Sequence, residues 1–87
     1  METTYGDFKV GDIVQHYRRT FLEDPTNEYL YTIVAFGRNC SSEKDCVIYR
    51  ALYGEGKMFV RDVDDFMGTV GDTLSPHQRE RFKKVSL

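Results

Sequence analysis

The sequence contains no tryptophan, and only two prolines, two cysteines and two histidines among 87 residues. Cys40 and Cys46 stand without a Cys-x-x-Cys pair or a neighbouring histidine pair, so they cannot supply the four ligands of a structural zinc site. They flank the polar stretch Ser41-Ser42-Glu43-Lys44-Asp45, across which they can face each other, but a reducing compartment keeps such thiols free. His16 and His77 lie far from both cysteines in sequence, which leaves neither thiol with an adjacent base. Paired carboxylates, a metal-ligand cluster and a phosphate-cradling glycine loop are also missing. The expectation is therefore a protein that is not an enzyme and carries neither metal nor cofactor. No run reaches the ~18 apolar residues of a membrane helix. The start, Met1-Glu2-Thr3-Thr4, lacks the basic residues of a secretory leader, so the expected compartment is the cytosol, with no membrane association. A net charge of −2 argues against a generic polyanion binder.

What the chain does hold is aromatic surface. Six Tyr and six Phe, with 40% hydrophobic and 30% charged residues, describe a soluble globular domain rather than a disordered chain. The length suits a single domain over residues 1–87, with a small core. Charge is unevenly spread. Residues 1–72 carry eight basic and thirteen acidic side chains, whereas residues 73–87 carry four basic (Arg79, Arg81, Lys83, Lys84) and one acidic (Glu80). That split suggests a body and a basic appendage, either a solvated face lying on the acidic body or a contact for another molecule.

Ile13 to Tyr17, rich in β-branched and aromatic residues, reads as a first strand. Arg19 to Glu28 contains Glu-Asp-Pro-Thr-Asn, which is loop chemistry. Tyr29 to Phe36 (YLYTIVAF) is the strongest strand, apolar on both faces and so central or bent around a core. Cys46 to Tyr53 and Lys57 to Arg61 form a third and fourth strand around the turn Gly54-Glu55-Gly56. Asp62 to Met67 reads as a short helical turn. Ser75-Pro76-His77-Gln78 then resembles a capped helix start, with Gln78 closing a capping box, and predicts an appended helix over about residues 75–85. With only Leu74, Phe82 and Val85 to bury, that helix is expected to dock weakly and to be removable after Asp72. Short strands joined by turns indicate an all-β fold. Closure hides its edges best, so the predicted architecture is a small SH3-like barrel of about five strands over residues 8–70, with Val14, Ile33, Val47 and Val60 in its core.

The segments VGDIVQHY and CVIYRALYGEGKMFVRDVDDF resemble the bacterial domain-of-unknown-function family 1653 over roughly Phe8 to Val70. The resemblance implies a small SH3-like barrel of bacterial or phage genomes with no assigned activity. His16, Tyr49, Arg50, Tyr53, Gly54, Arg61 and Phe66 match the family pattern. The chain departs from that pattern at Phe59, where the family usually has Trp, and at Asp62, where it usually has Pro. After Arg38, the family's His, Ser or Thr, and Glu are replaced by Asn39, Cys40 and Ser41, which weakens a catalytic reading further.

His16, Tyr49, Arg50, Tyr53, Phe59 and Arg61 form the candidate ligand-binding set. A two-residue loop at Glu55-Gly56 sets Tyr53 opposite Met58, Leu52 opposite Phe59 and Arg50 opposite Arg61; a three-residue loop sets Arg61 opposite Tyr49. Two facing arginines require an anion between them. Either Asp62, Asp64 or Asp65 supplies it, or a ligand does. His16 shares a strand face with Val14, which suits a hydrogen-bonded structural imidazole at the barrel rim. The expected function is a non-enzymatic binding module that takes a protein, a peptide or a small anionic ligand, with nucleic acid less favoured. The other reading is an accessory or structural domain acting through protein contact or self-association.

Overall fold

A computed structural model describes residues 4–24, 26–71 and 76–86. The short strands β1 (Thr4–Tyr5) and β2 (Phe8–Lys9) pair as a ribbon. Five more form one antiparallel sheet: β3 (Ile13–His16), β4 (Leu30–Arg38), β5 (Asp45–Ala51), β6 (Met58–Asp62) and β7 (Phe82–Val85), in the order β6-β5-β4-β3-β7. The all-β expectation and the first four predicted strands are present, and α1 (Val63–Phe66) falls inside the predicted helical turn. A five-residue 3-10 helix, Tyr17–Phe21, follows β3. Among the described residues no helix is long and apolar enough to cross a membrane.

The doubly apolar sequence of β4 has a local cause. A register shift between Ile33 and Ala35 inserts a bulge, so odd-numbered Tyr31 and Ile33 and even-numbered Phe36 are all buried. The bulge bends the sheet around one cluster that includes Val14, Ile33, Val47, Tyr49, Phe66 and Phe82. The sheet does not close into a barrel: β6 and β7 occupy its two ends. Backbone bonds from Val70 N–H to the Arg79 carbonyl (2.6 Å) and from Arg81 N–H to the Gly68 carbonyl (3.0 Å) join the segment after α1 to the approach to β7. On the far side, buried Asp12 receives the Lys9 ammonium at 2.9 Å and lies 3.8 Å from that of Lys84, tying β7 to the turn before β3. Burial pushes the Asp12 carboxyl up, but the hydrogen bonds from Lys9 and the two ammonium charges outweigh it and hold the group below its ordinary value.

Two expectations are corrected. The predicted C-terminal helix is absent from the described part of its range. Residues 82–85 instead form β7, paired with β3 through Ile13–Val85, Val14–Lys84, Gln15–Lys83 and His16–Phe82. Ser75, the proposed cap, lies outside the described residues. Gln78 is buried beside β3: it accepts a hydrogen bond from Gln15 Nε2 at 2.7 Å and donates to the Glu80 carbonyl at 2.9 Å. Phe82 is 2% exposed and stacks on Phe66 with ring centroids 4.2 Å apart. The edge of β3 needed ladder partners, and burying an aromatic ring outweighed the weak propensity of a short helix.

The second correction concerns register. Val14, Ile33 and Val47 are buried as expected, but Val60 is 65% exposed. The β5–β6 loop is longer than two or three residues, with Gly54 and Gly56 in left-handed conformations (φ 60° and 69°) and Gly56 N–H bonded to the Tyr53 carbonyl. The ladder therefore begins at Arg50–Met58 and runs through Tyr49–Phe59, Ile48–Val60 and Val47–Arg61. Relative to the two-residue loop this is a slip of three positions, an odd number, so it turns Val60 outward and Arg61 inward. Val60→Asp is expected to change stability by only about 0.5 kcal/mol, as at other exposed positions. A urea titration showing a loss of several kcal/mol would contradict this register.

Candidate ligand-binding cleft

One end of the sheet opens into a cleft of about 360 Å³. Several elements build it: β3 ends at His16, the 3-10 helix adds Tyr17 and Arg18, β4 brings Tyr31, β5 brings Tyr49, and β6 brings Phe59 and Arg61. Tyr29 enters from the loop before β4, and Arg81 and Phe82 from the start of β7. Tyr29 has φ 65°, a left-handed backbone unusual for an aromatic residue, and its carbonyl accepts the His16 N–H at 2.9 Å. Strained backbone of this kind clusters at functional sites.

His16 is half-buried. Its Nδ1 accepts the Arg18 backbone N–H at 3.2 Å, which places the ring proton of the neutral form on Nε2. Burial, followed by the charges of Arg61, Arg18 and Arg81, lowers its pKa from 6.5 to about 4. Between those values the unfolded chain holds a proton that the native chain does not, so acidification through this window lowers stability. His16→Gln is expected to flatten that part of the curve of unfolding free energy against pH. An unchanged slope would place the titration elsewhere.

The arginines are unequally partnered. Arg61 donates from Nε to the Tyr49 hydroxyl at 3.1 Å and from Nη1 to Asp65 at 2.6 Å, and its guanidinium lies 5.5 Å from the centre of the Phe82 ring. Arg81 donates to the Asp65 carbonyl at 3.1 Å and lies 3.5 Å from the same carboxylate. Asp65 thus serves two guanidinium groups. Exposed Arg18 makes no ion pair among the described residues; interaction with Tyr17, and more weakly with Tyr29, raises its pKa above the ordinary value. Aromatic rings wall the site, with Tyr49 and Phe59 stacked at 5.7 Å and Tyr31 edge-on to Tyr49 at 5.2 Å. Burial, together with a 2.8 Å hydroxyl contact to Tyr53, pushes the Tyr31 phenol up, so it stays neutral.

Four of the six sequence-predicted residues, His16, Tyr49, Phe59 and Arg61, meet in this cleft. Tyr53 borders it through the hydroxyl contact with Tyr31. Arg50 is exposed on the opposite face of β5, with Nη2 3.6 Å from Met58 Sδ, so the facing arginine pair does not exist. Of the three acidic candidates, Asp65 is the one that neutralises Arg61. Arg18 and Arg81 escaped sequence reasoning. Arg18 carries the signal of lying two residues beyond His16, whereas the sequence predicts a helix around Arg81, which in the structure directly precedes β7. Both cysteines are free thiols, Cys40 exposed and Cys46 buried. No group of three or more His, Cys, Asp or Glu suited to a metal ion occurs among the described residues.

A protein family described as "Protein of unknown function (DUF1653)" matches residues 12–84, a span that contains every residue of the cleft. No curated protein and no solved structure matches the chain.

Proposed function

The chain belongs to the DUF1653 family, and from that premise we propose that it is a non-enzymatic, cytosolic binding module whose cleft takes an anionic group carried on an apolar or aromatic body. The observation that carries this reading is the imbalance of charge: Arg18, Arg61 and Arg81 border one cleft, and among the described residues one carboxylate, Asp65, pairs with Arg61 and Arg81, while Arg18 has none. Guanidinium forks bind carboxylate, sulfonate or phosphate oxygens through charge-assisted hydrogen bonds, and the aromatic walls accept the body that carries the anion. A nucleophilic role draws no support from Cys46, whose thiol is pushed up by burial and by Asp62. Nor does His16, neutral and engaged through Nδ1, stand beside a nucleophile.

The test is a titration of the isotope-labelled protein with benzenesulfonate, using benzenesulfonamide as the uncharged control. Amide shifts are expected at His16, Tyr17, Tyr49, Phe59, Arg61 and Phe82, weaker at higher salt. Arg18→Gln is expected to lower affinity by a few-fold without changing the fold, because that side chain is exposed. Equal binding of the uncharged control, or shifts scattered away from the cleft, would refute the reading.

A second reading, association through the sheet edge, is favoured by β6, an end strand with Met58 and Val60 exposed. Sedimentation over a range of concentrations tests it. A monomer throughout would leave the cleft as the working surface.

A further inference from the structure

The cationic cleft shares its walls with two apolar hollows. Tyr17, Arg18 and Tyr29 also line a hollow of about 390 Å³ that Phe21 and Leu22 complete. Phe59 is shared with a third hollow of about 260 Å³, whose lining includes Ala51, Tyr53 and Gly54. The central cleft thus has lining residues in common with each apolar hollow, and the rings of Tyr29 from one and Tyr53 from the other lie 6.1 Å apart. Phe21 is 52% exposed and Phe59 38% exposed, which leaves an uncovered aromatic ring on each apolar hollow.

From this layout we infer that the partner is a peptide segment presenting one acidic side chain between apolar ones. The inference rests on the anion-binding reading above and adds the class of molecule. Charge complementarity supports it. The three arginines border the central cleft, whereas in one apolar hollow Glu55 and Lys57 lie 3.8 Å apart and offset each other, and exposed Glu23 and Asp24 directly follow Leu22 of the other. A single acid with apolar neighbours places its charge among the arginines and its apolar groups in the hollows, whereas a polyanion with a charge on every unit also carries charge into the apolar hollows. In an extended segment, side chains on one face recur about every 7 Å, so alternate residues can address neighbouring hollows.

The experiment pans a random-sequence peptide library displayed on phage against the full chain, then measures synthetic peptides of the enriched sequence by fluorescence anisotropy. Enriched sequences are expected to share an acidic residue flanked by apolar ones. Arg18→Glu and Phe21→Ser are each expected to weaken binding by about tenfold or more. Both sites are exposed, and an unchanged amide spectrum verifies the fold of each variant. Three results overturn the inference: no enrichment relative to panning against a protein carrying both Arg18→Glu and Phe21→Ser, an enriched sequence without an acid, or an oligothymidylate that displaces the peptide at lower concentration than the peptide itself binds. If benzenesulfonate still binds among the arginines while the library yields nothing, the peptide inference alone falls. If neither binds, the anion-binding reading falls with it.

Discussion

Removing residues 73–87 is expected to unfold the domain. The last strand supplies four backbone pairings to β3 and inserts Phe82 into the centre of the core, where it stacks on Phe66 at 4.2 Å and meets Tyr49 edge-on at 5.3 Å. Phe82→Ala alone is expected to cost about 3–5 kcal/mol through lost burial and the cavity left behind. Small domains commonly have a total stability of about 5–15 kcal/mol, and one of this length sits toward the lower end. Urea unfolding followed by tyrosine fluorescence checks both variants. A truncated protein with the midpoint of the full chain would mean that β7 contributes nothing to the core, contrary to its burial.

Asp65→Asn is expected to move stability and binding in opposite directions. Asp65 is the carboxylate shared by Arg61 and Arg81, with its side chain about half exposed. A hydrogen bond to a charged group contributes about 1.5–3 kcal/mol when shielded, and exposure here reduces the expected loss to about 1 kcal/mol. The same change leaves two guanidinium groups in need of an anion, so benzenesulfonate should bind more tightly. If the arginines serve only to hold α1 and β7 in place, stability falls and affinity stays flat. Arg61→Lys supplies the converse: it keeps the charge but loses the geometry that reaches Tyr49 and Asp65 together, and should weaken both quantities.

The contrast between β4 and β7 shows what could be read from residues alone. Tyr29 to Phe36 declares a strand by density of β-branched and aromatic residues, and the bulge at Ile33–Ala35 explains why both its faces are apolar. Phe82 and Val85, three apart after a proline and a glutamine, mimic a helix. Their strand state is fixed by the free edge of β3 and by the Phe66 ring, neither of which is local in sequence. Site residues divide the same way. His16, Tyr49, Phe59 and Arg61 converge because each sits on or ends a strand that was legible, although Arg61 reached the cleft through a register different from the expected one. Arg50 was misplaced because the loop after Ala51 is too long for a tight hairpin, and an odd slip sends a side chain to the other face. Arg81 needed the tertiary path of β7.

The most direct test of a cationic, anion-accepting cleft is the titration of the His16 imidazole by NMR, without and with saturating benzenesulfonate, whose charge is constant across the range. Burial and the charges of Arg61, Arg18 and Arg81 place the free pKa at about 4. An anion seated among those guanidinium groups offsets their repulsion of the imidazolium, so the pKa should rise on binding, and by linkage the anion should bind more tightly as His16 protonates. A free pKa near the ordinary 6.5, or a low value that saturating anion leaves unmoved, would contradict the account.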